Sequence, residues 1–182
     1  VVEAPAKLTL SLHVVGVRND GFHLIDAEMV TLALCDTLQI DAQGTGISVS
    51  GPFADGVPTG SDNLVARALQ LVQREAGIHI HKQIPNGGGL GGGSSDAATT
   101  LCVLDRLWDT RLGAAELAKL GLALGADVPV FVHGHSAVGE GVGERLTPVS
   151  LPARWFLVLH PGVAVATKDV FQAPELTRNS AI

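Results

Sequence analysis

Eighteen aspartates and glutamates against twelve lysines and arginines leave the 182-residue chain at a formal charge of −6, the wrong balance for a duplex nucleic-acid binder. With 46% hydrophobic and 16% charged residues, it is a folding sequence rather than a disordered one, long enough for one domain or one and part of a second. Cys35 and Cys102 lie in apolar stretches and read as buried reduced thiols; no apolar run approaches the roughly 18 residues of a membrane span, and VVEAPAKLTL lacks a basic region leading into an apolar one. A cytoplasmic protein without a membrane partner is expected.

From Ala6 to Val15 the sequence alternates, with Leu8, Leu10, Leu12 and Val14 on one face and Lys7, Thr9, Ser11 and His13 on the other. That pattern predicts a half-buried strand. NDG at 19–21 marks a turn, and Glu28 to Ile40 predicts one or two strands broken near Cys35-Asp36. A loop-rich stretch, 44–60, leaves room for a short strand around Ile47 to Val49. Ser61-Asp62-Asn63 then offers an N-cap to a helix with Leu64, Ala68, Leu71 and Val72 on its apolar face. Alternation returns with Ile78, Ile80 and Ile84. Helical spacing follows at Ala97, Leu101, Leu104 and Trp108, with Ser94 or Ser95 as cap. A helix is expected from about Ala114 to Leu124, stopped by Gly125, and Asp127 falls in the connection to a short strand in ADVPVFVHG. Residues 136–147 and 155–160 read as two more strands, and Thr167 as the cap of a short helix holding Phe171. Unevenly mixed strands and helices predict an α+β fold.

Six glycines crowd the seven positions from Gly87 to Gly93, between a strand and a helix. Bare backbone ahead of a helix N-terminus lets a phosphate approach unpaired N–H groups. Gly87, Gly89 and Gly92 satisfy G-x-G-x-x-G, but so many glycines make that match nearly automatic, and the preceding strand alternates where a central parallel strand is continuously apolar. Gly88 and Gly93 have Walker spacing, yet Ser94 stands where lysine is required. A flexible linker would not run straight into two serines, an aspartate and a patterned helix. A phosphate-binding loop outside those two classes remains.

PNGGGLGGGSSDAA, residues 85–98, resembles the second motif of the GHMP kinases, the superfamily of galactokinase, homoserine kinase, mevalonate kinase and phosphomevalonate kinase. APAKLTLSLHVVGVRNDGFH, LGADVPVFVHG and HPGVAVATKDVFQAPELTRN extend the similarity along essentially the whole chain and narrow it to the branch acting on a cytidine diphosphate derivative. The resemblance implies a GHMP-kinase N-terminal domain of the ribosomal protein S5 domain 2 type over 1–153, then the beginning of an incomplete ferredoxin-like C-terminal domain over 154–182. It implies transfer of the ATP γ-phosphoryl, with Mg²⁺, to the 2-hydroxyl of 4-diphosphocytidyl-2-C-methyl-D-erythritol, a step of non-mevalonate isoprenoid synthesis. A monomer or weak homodimer is expected.

The same resemblance assigns roles residue by residue. Lys7 and Asp127 would be catalytic, Asp127 accepting or orienting the hydroxyl proton. Gly87, Gly88, Gly89, Leu90, Gly91, Gly92, Gly93, Ser94 and Ser95 would bind the ATP phosphates, and Asn63, also suited to start a helix, the adenine side. Thr9, Phe22, His23 and Phe171 would bind substrate, the aromatic residues at the cytosine ring. No residue is assigned as a metal ligand, and His133 and His135 are taken as structural or surface residues. Thr9 replaces the family's usual asparagine, Phe22 a common tyrosine, and Asn86 is unusual before the glycines. The family's third motif belongs to the second domain and is missing from these residues, and Val1 is no initiator methionine, so a fragment is expected. A kinase for homoserine, mevalonate or a sugar, or an ATP-binding module without turnover, are the alternatives.

Overall fold

In the computed structural model, residues 1–159, 162 and 167–180 are described. The elements run β1 (Val2–Val17), β2 (His23–Asp41), β3 (Ile47–Ser50), α1 (Leu64–Leu71), β4 (Gly77–His81) and α2 (Gly92–Leu107), then α3 (Gly113–Leu122), α4 (Val128–His133), β5 (Ala137–Gly141), β6 (Arg145–Pro148) and α5 (Thr167–Gln172). The fold is α+β.

The long strand β2 organises the sheet. Along one edge it pairs antiparallel with β1, and on the other its first half pairs with β5 and its last five residues with β4. β3 lies parallel to β4, and β6 closes the hairpin with β5. Between the β5 and β4 pairings β2 has no strand on that edge among the described residues. There Asp36 accepts the backbone N–H groups of Gln83 and Ile84 at 2.6 and 2.9 Å, and the Thr31 N–H donates to Ser136 Oγ at 3.2 Å, so side chains satisfy what a ladder would otherwise satisfy.

Ala4, Leu38, Ile78 and Ile80 from the sheet pack against Val65, Leu69 and Leu104 of α1 and α2. Behind them Ala97, Ala98 and Leu101 meet Leu117 of α3 and Val128 and Val132 of α4. Alanines on α2 let these helices approach closely. The opposite sheet face is polar, and His79 bridges Ser48 and Ser50 there at 2.8 and 2.9 Å. No helix among the described residues is long and apolar enough to cross a membrane.

Several local expectations are corrected. β2 is continuous through Cys35-Asp36, because β1 supports it from the other edge. The β1–β2 register shifts between Pro5 and Lys7, Thr9 and Ser11, and Val14 and Gly16, and each irregularity resets the period-two alternation. Lys7 is consequently buried, whereas Leu10 and Leu12 are exposed. VPVFVH forms helix α4 instead of a strand: Pro129 suits a first turn, Gly134 adopts φ 72° just past the end, and the valines gain burial on α2 and α3. α2 starts from Gly91 at φ 74°, so Ser94 and Ser95 lie inside its first turn and do not cap it. α3 ends at Leu122, with Ala123 still right-handed, leaving Gly125 outside the expected cap position. Residues 136–147 are a hairpin rather than one strand, and 155–159 pair with no strand among the described residues; residue 160 lies outside them. Cys35 and Cys102 are free but only half-buried, and burial pushes both thiols above their ordinary pKa.

Candidate active site

The glycine loop leaves β4, passes beside Lys7 of β1 and enters α2. Gly87, Gly89 and Gly91 have φ of 70°, 71° and 74°, left-handed values that disfavour a side chain. A Cβ on Gly91 would stand 2.6 Å from the Phe131 ring and 3.4 Å from Lys7 Cγ. Glycine thus lets the lysine stem and the phenyl ring close on the loop. Leu90 turns inward: it is 2% exposed, packs with Ala6 and Ile84, and its carbonyl accepts the Lys7 N–H at 3.0 Å. Of this residue only the backbone remains for a ligand.

Beside the loop opens a cleft of about 610 Å³, lined by Lys7, Thr9, Phe22, His23, Gly89, Ser94, Asp127 and Phe171 among others. Lys7 Nζ donates to Thr9 Oγ1 at 3.0 Å and lies 3.6 Å from Asp127 Oδ2. Asp127 stands at the start of α4 without capping it, and is the more open of the pair. A half-exposed carboxylate steered by a buried ammonium can accept a proton from a hydroxyl in the cleft. At the other end the His23 and Phe171 rings sit 5.0 Å apart at 40°, and the Phe22 ring is 60% exposed beneath the Arg18 guanidinium. A larger hollow of about 780 Å³, near Arg74 and Trp108, shares no residue with the cleft or the glycine loop.

Two assigned residues fall elsewhere. Asn63 is buried and borders a separate hollow of about 170 Å³ on the α1 side of the loop. Its Oδ1 accepts the Val65 N–H at 2.8 Å and its Nδ2 donates to the Pro58 carbonyl at 2.7 Å, so its amide holds the α1 entry. Ser95 is fully buried and its hydroxyl has no partner among the described residues. Ser94 is the serine that faces the cleft.

Sequence reasoning missed a buried ion cluster under the loop. Lys82 Nζ donates to Asp36 and, at 2.7 Å, to Asp96 Oδ2, and all three residues are at most 3% exposed. Burial, followed by the opposing pull of Lys82, leaves the Asp96 carboxyl pushed up to about 7. The signal was legible, since Lys82 occupies the same register as the inward Ile78, Ile80 and Ile84. Arg178 was missed too: its Nε–H donates to His23 Nε2 at 3.2 Å.

A model of the GHMP kinases N terminal domain matches residues 63–135, the stretch holding the glycine loop, α2 and Asp127. The 4-diphosphocytidyl-2-C-methyl-D-erythritol kinase of Chromohalobacter salexigens is 52% identical over 97% of this chain and 61% of its own length. The chain is similar to the GHMP kinases along nearly its whole length. Within that family, the enzyme of the same name from Dechloromonas aromatica is 51% identical over 97% of this chain and 66% of its own. A crystal structure of 4-(cytidine 5'-diphospho)-2C-methyl-D-erythritol kinase superposes with TM-score 0.73 at 38% identity, covering 96% of this chain and 65% of that one. A more distant crystal structure, the phosphomevalonate kinase of Streptococcus pneumoniae, shares the fold alone, with TM-score 0.56 at 16% identity over 77% of this chain and 47% of that one. The chain thus spans between three fifths and two thirds of these curated relatives' length.

Proposed function

We propose that this chain carries the ATP loop and acceptor cleft of a kinase that transfers the γ-phosphoryl of ATP to the 2-hydroxyl of 4-diphosphocytidyl-2-C-methyl-D-erythritol. The observation that carries the reading is the convergence in one cleft of the glycine loop, the Lys7–Asp127 pair and the His23–Phe171 aromatic pair. Phosphoryl transfer asks a protein chiefly to align the groups and stabilise charge on phosphate oxygens. Here the loop N–H groups and the N-terminus of the 16-residue α2 bind the phosphates, with Ser94 adding a hydroxyl. Asp127 takes the proton of the acceptor hydroxyl, and Lys7 holds that carboxylate in place and adds positive charge. Thr9 fixes the lysine head. The rings of Phe22, His23 and Phe171 take the cytosine, one face each side and a ring nitrogen at its edge.

A magnesium ion bound with ATP would neutralise phosphate charge. Such an ion is held largely by phosphates and by one or two protein oxygens. Ser94 and Asp127 are the side chains beside the loop with the oxygen donors for it. Residues 1–153 would form the first domain and 154–182 the start of a second, which in the longer relatives would complete the cleft wall.

ADP release with Mg-ATP and 4-diphosphocytidyl-methylerythritol, measured for this chain and for the gene-encoded full-length protein, tests the reading. Asp127→Asn in the full-length protein is expected to lower kcat at least a hundredfold, the usual scale for a lost acid–base group, with little change in ATP affinity. Turnover by the full-length protein on homoserine or mevalonate instead would refute the acceptor. ATP binding without turnover on any of the three would refute the kinase assignment.

A further inference from the structure

Arg178 meets the cleft with most of its donors already committed. Its Nη1 donates to the Leu176 carbonyl at 2.9 Å, and its Nη2 to those of Phe171 and Ala173 at 2.8 and 2.9 Å. Three carbonyls within and just beyond α5 therefore fix the guanidinium plane, and the Nε–H points at His23 Nε2, 3.2 Å away. Arginine has donors and no acceptor. The imidazole nitrogen facing it must carry a lone pair, so the ring proton of neutral His23 sits on Nδ1. Free histidine in water prefers the opposite tautomer. Nδ1 has no partner among the described residues, and His23 lines the cleft against Phe171.

We propose that Arg178 is a positioning residue that locks His23 in the Nδ1–H tautomer, so that the cleft offers a base a hydrogen-bond donor and prefers cytosine, whose N3 accepts, over uracil, whose N3–H donates. The inference rests on the cleft being the cytidine site proposed above. A donor facing a donor leaves both unsatisfied, at about 1–3 kcal/mol, so a preference for CDP over UDP of about five- to 150-fold is expected.

Long-range ¹H–¹⁵N correlation spectra of the histidine-labelled chain, with His23 assigned through His23→Gln, report the tautomer directly. The Nδ1–H pattern is expected, and it should move toward the Nε2–H pattern in Arg178→Met. An Nε2–H pattern in the unmodified chain would overturn the proposal. Calorimetric titration with CDP and UDP reads the selectivity. Because Arg178→Met also removes an anchor of α5, Arg178→Lys provides the second variant: it keeps donors for the carbonyls but lacks the Nε–H, and should retain the melting temperature while the CDP:UDP ratio falls toward one. Equal binding of CDP and UDP with the Nδ1–H pattern intact would overturn the selection by Arg178 and leave the base site standing. Failure of both nucleotides to bind would instead sink the base site itself, whatever the tautomer.

Discussion

Replacing Lys82 with methionine keeps most of the side-chain volume and removes the positive charge between Asp36 and Asp96. Water cannot take its place easily, because the three residues are 1%, 0% and 3% exposed. Removing one partner of a buried pair costs about 3–5 kcal/mol. Two features of this site favour the lower end. Asp36 keeps its two backbone donors, Gln83 and Ile84, and Asp96, whose carboxyl is already held up to about 7, can take a proton near neutrality. A loss of about 3 kcal/mol corresponds to roughly 6–12 °C in Tm for a chain of this size. Urea unfolding followed by far-ultraviolet circular dichroism measures it. The cluster also ties β2 to the strand leading into the loop and to the first turns of α2, so the variant should raise KM for ATP more than it lowers kcat. A stability loss under about 1 kcal/mol would refute the reasoning, because the carboxylates would then have to be solvated in a way their burial forbids.

Asp96 also predicts a pH dependence. Its folded pKa lies above the ordinary carboxyl value chiefly because of burial, so between about pH 4 and 7 the folded chain holds a proton that the unfolded chain has lost. The stabilising contribution is full below that window and fades as pH rises through about 7. Urea midpoints of the unmodified chain, relative to Asp96→Asn, should therefore fall between pH 5 and 7.5; parallel curves would contradict the assignment. Gly91→Ala should cost about 1–3 kcal/mol, from the left-handed φ and from the contact its Cβ would make with Phe131. It should also weaken binding of a fluorescent ATP analogue several-fold, and unchanged affinity would mean that the loop does not need its present course.

The inward face of β4, the Asn63 start of α1, the α2 stripe and the strand-loop-helix setting of the glycines were legible because short-range periodicity and capping chemistry encode them. VPVFV was not, since β-branched residues favour strands unless burial rewards a helix, and here α2 and α3 supply that burial. The face of β1 escaped for a related reason: register shifts set by pairing with β2 decide which side Lys7 and Leu12 take. Arg178 gave no local cue, because its role depends on a contact with His23 across 155 positions. Sequence by itself thus determined the α+β class, the glycine loop and the residue types that bear chemistry, all of which reside in local pattern or composition. Only the tertiary structure decided that Lys7 is buried against Asp127, that Lys82 joins two distant carboxylates and that Leu90 turns away from the ligand, because each depends on which groups the packed chain removes from water.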